Sequence, residues 1–352
     1  MGRDMLQAYP LTKRMDLLML PPVDDSELPI GQAESLAHHK GDLSLNNYTV
    51  ISSEGASLLG QHKGGTLWLN GLRSLSAEAA ASLAAHEGSM SLDGLTVLSD
   101  EAAAALSRFT HGLSLDGLAS LSDRAAESLS SHEGTLSLNG LTSLAGTAAS
   151  GLGRHNGSLW LNGLGALSAE AAKGLAQCRG LLSLNGLTAL APEAAAALSR
   201  SAGDLSLDGI LSLIDEEAAA LGQHRGMLSL AGLTTLSESA ARGLAQRSRV
   251  LSLNGLSSLT DAVAAALGHH EGLLYLNGLK ALSPTAASAL ARHRGDLYLE
   301  GLATLPDDVA QELAKHGEGW LYLNGLTSLS PEAAEALRSK PNVRVPERFV
   351  VG

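Results

Sequence analysis

Histidine recurs along this chain at one place in a repeated phrase, and imidazole is the side chain best suited to hold a metal ion or to sense pH near neutrality. His39, His86, His132, His155, His224, His270 and His293 each stand four residues before an apolar residue that opens a triplet such as LSL. His62 and His316 stand five before it. Phe109, Cys178, Ser201 and Arg247 occupy the same place in other units. That exchange of residue types suits a packing position at the end of a helix better than a metal ladder. The ring there would bond a terminal carbonyl and be favoured by the helix dipole.

A second column is aromatic. Tyr275, Tyr298 and Tyr322 are the middle residues of three successive triplets, and Leu273 and Trp320 are the residues just before two of them. Trp68 and Trp160 hold the tyrosine place in earlier units, and Asp296 and Glu300 flank Tyr298 two residues away on either side. These nine residues are the candidate partner-binding set. Aromatic clusters rimmed by polar groups mark recognition sites. Tyrosine is also a good strand residue that packs along a sheet, and both readings stand at this point. A third column, Asn or Asp directly after most triplets, is expected to form a hydrogen-bonded ladder closing the turns.

Catalysis finds no support. No G-x-S-x-G, H-E-x-x-H or P-loop pattern occurs, and the glycine clusters recur as turns. Cys178 has Arg179 beside it, which lowers a thiol pKa, but no base is set next to it by sequence. The chain reads as a non-enzyme without a cofactor or metal.

The elements that must position these columns follow from the repeat. Counting the first residue of each triplet as position 1, that position falls at Leu43, Leu67, Met90, Leu113, Leu136, Leu159, Leu182, Leu205, Leu228, Leu251, Leu274, Leu297 and Leu321. The step is 23 residues, with 24 at the first and last steps. A unit this short cannot bury its own apolar face, so thirteen of them mean a solenoid. The triplet alternates with period 2, which predicts a short half-buried strand. The Asn-Gly or Asp-Gly that follows, as at Asn139-Gly140, tolerates positive φ and is expected to turn the chain off the strand. Two more leucines, Leu187 and Leu190 in one unit, should enter the core. Ser283-Pro284 and Ser330-Pro331 read as N-cap and N1 of a helix, and bodies such as EAAAALSR from Glu193 are rich in helix formers. Gly134 and Gly226, two residues before a strand, suit a helix C-cap.

The LxLxGLxxL core followed by an Ala-rich helix resembles the leucine-rich repeat, over about residues 18–345. The common pattern carries Asn at position 6, whereas here position 6 is Leu, as in Leu141 and Leu187, and the Asn sits at position 4. No family binding residue is carried over. The ends, LMLPP at Leu18–Pro22 and VRVPE at Val343–Glu347, look like the IxLP strand of the bacterial BspA-like subgroup. The resemblance implies an α/β fold: a right-handed βα solenoid with a curved parallel sheet on the concave face and short helices on the convex face. One continuous domain is expected, with a degenerate capping unit over 1–42, thirteen repeats over 43–340, and a capping strand and tail over 341–352. Prolines 21, 22 and 346 deter pairing at the open edges.

Alternation sends positions 1 and 3 into the core and the preceding position, position 2 and position 4 to the solvent side of the sheet. Those thirty-nine places hold no Lys or Arg and seven acids: Asp42, Asp93, Asp116, Asp204, Asp208, Asp296 and Glu300. With a net charge of -12, nucleic acid and anionic membrane are not expected partners. A protein partner offering a basic or extended segment is, with a glycan surface or self-association as alternatives. No signal-like or membrane-spanning apolar run is seen, so a cytoplasmic location is expected.

Overall fold

A computed structural model describes residues 18–19, 27–246 and 249–349. Pro21, Pro22 and Arg247 lie outside them. Among the described residues, fifteen strands, β1 to β15, form one parallel sheet in strict chain order, and fourteen α-helices, α1 to α14, alternate with them. Strand β1 is Leu18–Met19, β2 is Leu43–Ser44, β3 is Lys63–Trp68 and β4 is Glu87–Ser91. The ten strands β5 to β14 are residue pairs opening at Leu113, Leu136, Leu159, Leu182, Leu205, Leu228, Leu251, Leu274, Leu297 and Leu321, and β15 is Val343–Arg344. All thirteen expected positions are therefore strand residues, paired like with like along the solenoid, as in Leu182↔Leu205 and Leu274↔Leu297. Strands β3 and β4 start earlier than expected because Lys63 pairs with Glu87 ahead of a register shift. Gly64 and Gly65, both at positive φ, lie in that shift.

Helix starts follow side-chain chemistry. Ser76, Ser99, Ser122, Ser168, Ser237, Ser283 and Ser330 each accept the N–H of the residue three further on, which satisfies one orphan donor of the first turn. Pro284 and Pro331 open their helices as expected. In the unit of β8 (Leu182–Ser183), Leu182, Leu184, Leu187, Leu190, Ala194, Ala195 and Leu198 are all buried. The core is this set repeated unit after unit.

Two expectations about glycine are corrected. The glycine after position 4 is not at positive φ; among the described residues only Gly41, Gly64, Gly65, Gly272, Gly295 and Gly319 are. Its necessity is steric. A Cβ on Gly186 would stand 2.0 Å from the Asn162 carbonyl oxygen of the preceding unit. Gly134 and Gly226 are not helix C-caps either. Their helices, α5 (Asp123–Leu129) and α9 (Asp215–Leu221), end in right-handed caps at Ser130 and Gly222. A Cβ on Gly134 or Gly226 would lie 2.1 or 2.0 Å from a carbonyl of the unit before. Asn185-Gly186 does turn the chain, with the Leu187 N–H on the Leu184 carbonyl at 3.1 Å, but at both places it is the close stacking of neighbouring units, not positive φ, that selects glycine.

Parallel strands sit about 4.8 Å apart, whereas helices usually pack at roughly 8–10 Å, so the sheet lies on the inner side. Small residues narrow that difference. A Cβ on Gly174 would lie 2.6 Å from the Ser150 amide nitrogen, so α7 (Ala169–Leu175) meets α6 (Gly146–Leu152) nearly backbone to backbone. Close helices of this kind hold the curvature down.

Candidate binding surface

The solvent side of the sheet is lined by two interlocked ladders. At position 4, the side-chain oxygen of Asn162 accepts the Asn185 N–H at 2.8 Å and the Ser183 hydroxyl at 2.7 Å, both from the next unit. Asn70, Asp93, Asp116, Asn185 and Asp208 take the same pair of bonds. The expected ladder is therefore present, and it joins neighbouring units rather than closing turns within one. It also corrects the reading of Ser183 as a freely exposed residue. Ser183 is 5% exposed, because a short side chain between two rows of carboxamides is covered by them.

The ladder has one break. Ala231 stands where Asn or Asp would accept the Ser252 hydroxyl, and that hydroxyl is buried without a partner. Leaving a buried donor unpaired costs about 1–3 kcal/mol. Ala231→Asn should therefore raise stability by about 1 kcal/mol, read as a higher urea midpoint. A lower midpoint would show that the ladder does not stabilise the sheet.

The acids of this face are structural as well. Asp42, Asp204 and Asp296 accept backbone N–H groups of Thr66, Met227 and Trp320 at 2.7, 2.8 and 2.8 Å. Glu300 accepts the Asn324 carboxamide at 2.7 Å. Their charge remains on the face, but their positions are set by neighbouring units.

Strands β12 (Leu274–Tyr275), β13 (Leu297–Tyr298) and β14 (Leu321–Tyr322) bring the three tyrosines together. The Tyr275 and Tyr298 rings stack with centroids 4.1 Å apart, and those of Tyr298 and Tyr322 at 4.3 Å and 4° between planes. Their hydroxyls lie close enough along the row to act on one another. Burial first, then the neighbouring phenols, pushes the Tyr298 hydroxyl above its ordinary range. The inner ring faces are thus spent on one another, and what the row turns outward is ring edge and hydroxyl. Trp320 is half-buried beside this row, and the Arg344 guanidinium lies 4.3 Å above its ring. Arg344 belongs to this face and lies outside the expected set. The signal was present, since VRV reads as a final strand and Arg344 pairs with Tyr322 in register. Leu273 is half-buried ahead of Tyr275. Trp68 and Trp160 are not part of this cluster. They stand on β3 and on β7 (Leu159–Trp160), each between serines of adjacent strands. The nine candidates therefore divide into one patch of seven and two isolated tryptophans.

The histidine column is internal. His62, His86, His132, His155, His224, His270, His293 and His316 are all buried. Rings stack from unit to unit, for example His62 on His86 at 5.1 Å and His270 on His293 at 5.3 Å, with Phe109 inserted between His86 and His132. Ring nitrogens meet carbonyls of the preceding unit: His86 Nδ1 with His62 O at 2.9 Å, His293 Nε2 with Gly272 O and His316 Nε2 with Gly295 O at 3.0 Å. Burial first, then the adjacent imidazoles, lowers His62 and His132 to a pKa of about 4. These two rings are therefore neutral at pH 7, and there the expected help from the helix dipole, which favours a cation, is outweighed by desolvation. Among the described residues no group of three or more His, Cys, Asp and Glu is arranged to hold a metal ion. Burial pushes the Cys178 thiol up to about 12, so Arg179 does not activate it. No described helix is long and apolar enough to cross a membrane.

In fold and in repeat pattern this chain is a leucine-rich-repeat solenoid. Among solved structures it is similar to the Toll–Spatzle complex of Drosophila, at 14% identity over 92% of this chain and 50% of that one, with a TM-score of 0.55. The TLR13–ssRNA13 complex matches at 16% identity over 94% of this chain and 55% of that one, with a TM-score of 0.50. A leucine-rich-repeat protein of Leptospira interrogans matches at 16% identity over 93% of this chain and all of the other, with a TM-score of 0.35. The chain spans about half the length of the chains it matches in the Toll–Spatzle and TLR13–ssRNA13 complexes. No protein-family model and no curated protein matches the sequence.

Proposed function

We propose that this solenoid is a non-catalytic binding module whose partner is another protein, held on the solvent side of the sheet over β12 to β15. The observation that carries the reading is the change of residue type along position 2. Eight units place serine there, and six of those hydroxyls bond into the ladder, whereas the last three full units place tyrosine. Serine satisfies the ladder at no cost, so packing alone does not call for three large aromatics in succession. The row offers a straight edge of phenol hydroxyls flanked by Asp296 and Glu300, which fits an extended segment running across the strands. Opposite charge on that segment complements the two acids and a net charge of -12. Arg344 refines the reading: it occupies the Trp320 ring face from within the chain, so the basic groups of a partner meet the acids and the tyrosine edges instead. The TLR13–ssRNA13 complex bears a nucleic acid on the same fold, so the argument for a protein partner rests on charge rather than on fold. A glycan, or a second copy of this chain, is the competing occupant.

The test is photo-crosslinking followed by a salt titration. A photoreactive residue replacing Leu273 should capture a protein, whereas one replacing Glu101, on the exposed helical side, should not. The captured complex should weaken from low to physiological ionic strength, where screening acts over about 8 Å. Equal capture from both sites, or a salt-insensitive complex with a glycan, would overturn the reading.

A further inference from the structure

The two histidine stacks are a device of the fold that the binding reading does not use. One runs from His39 through His62 and His86, across Phe109, to His132 and His155; the other is His270, His293 and His316. Between them the place is held by Cys178, Ser201, a further buried histidine, His224, and Arg247, so the units around β8 and around β9 (Leu205–Ser206) carry no ring and are the middle meant here. In each stack the centroids are 5.1 to 6.4 Å apart. A proton on one ring would place a cation away from water, a stacking distance from the next ring. We propose that the solenoid is acid-labile at its two ends and acid-resistant in its middle, with the C-terminal histidine stack acting as a proton-operated latch on β12 to β14.

The geometry ties that latch to the tyrosine row. His293 bonds the Gly272 carbonyl and His316 the Gly295 carbonyl. Gly272, Gly295 and Gly319 are held at positive φ immediately ahead of the strands that carry Tyr275, Tyr298 and Tyr322. Among the described residues of the middle units, no glycine at this place has positive φ. A ring that charges keeps its bond to the carbonyl, but the cation must be hydrated, so the entry into a binding strand at Gly272 or Gly295 has to open to let water in.

The acids facing the rings favour a proton there, but less than burial opposes it. In the C-terminal stack each ring faces its neighbours, and Asp296 and Glu318 act on His316. Asp296 is committed to the Trp320 N–H, and Glu318 pairs with Arg294, which also reaches Glu271. In the N-terminal stack, His62 feels His39, His86 and, more weakly, Asp42, while His86 feels His111, and His132 feels His155. Burial lowers His293 and His316 as it lowers His62 and His132. With folded pKa values below the unfolded value of 6.5, the stabilising neutral form is complete above pH 6.5. Its contribution is lost as pH falls from 6.5 towards about 4. Release of a partner in acid follows only if the binding reading above holds; the lability itself does not depend on it.

Amide hydrogen exchange on the full chain at pH 7.5 and 4.5, corrected for intrinsic exchange rates, tests the proposal. Protection over 270–325 and over 39–160 should fall more than tenfold in acid, while protection over 182–208 falls less than threefold. The triple variant His270→Phe, His293→Phe, His316→Phe takes its replacement from Phe109, which already fills this place in the column, and it should keep 270–325 protected at pH 4.5. An equal acid loss in that variant, or a uniform fall along the wild-type chain, overturns the proposal. Should the triple variant not fold at pH 7.5, the wild-type contrast between ends and middle decides alone.

Discussion

Gly186→Ala is expected to destabilise the protein by about 3 kcal/mol or more, beyond the usual cost of overpacking a core with one methyl. The added Cβ would lie 2.0 Å from the Asn162 carbonyl oxygen and 2.9 Å from its carbon, which are backbone atoms with no rotamer to escape into. Relief needs the units of β7 and β8 to move apart, and that breaks the bonds from the Leu161 N–H to the Ser183 carbonyl and from the Ser183 hydroxyl to Asn162. Gly186→Asn separates this account from a turn-based one. Asn tolerates positive φ better than Ala does, so a positive-φ turn would make Gly186→Asn the milder change. Steric exclusion makes it no better than Gly186→Ala. The urea midpoints of the two variants, measured side by side, decide.

Leu184→Ala should cost about 2–5 kcal/mol, since Leu184 is fully buried between sheet and helices and a cavity would remain. Its neighbour Ser183 points to the other side of the sheet but is not free. Ser183→Ala removes the hydroxyl bond to Asn162 and should cost about 1 kcal/mol. A loss near zero for Ser183→Ala would mean that the ladder contributes nothing. A loss equal to that of Leu184→Ala would mean that the two faces of the strand are not distinct.

Period and alternation carried most of the fold. A spacing of 23 residues with LxL at its start specifies parallel strands in register, and capping serines specify where the helices begin; the structure places both where they were expected. What the sequence hid was distance between units. Asn-Gly has the same letters in a hairpin turn and in a tight stack of parallel strands, and only the approach of the next backbone tells them apart. Ser183 reads as exposed because alternation counts sides of a strand; burial by the adjacent ladder depends on neighbours 21 residues away. The candidate patch was legible as composition, in Tyr275, Tyr298, Tyr322 and Trp320. That the rings stack on each other, and that Arg344 covers Trp320, required the register of β14 against β15. Trp68 and Trp160 share the residue class but not the place, since a column read down the page spans the whole sheet.

The central claim is that the tyrosine row is a contact surface and not only strand packing. It is tested most directly by calorimetric titration of the crosslink-identified partner into wild-type protein and into the double variant Tyr298→Ala, Tyr322→Ala. Loss of two stacked pairs, each worth about 0.5–1.5 kcal/mol, should lower the melting temperature by a few degrees and leave the solenoid folded. The account predicts that Kd rises at least tenfold at a temperature where both proteins are folded. An unchanged Kd with a lowered melting temperature would contradict it and leave the row as internal packing.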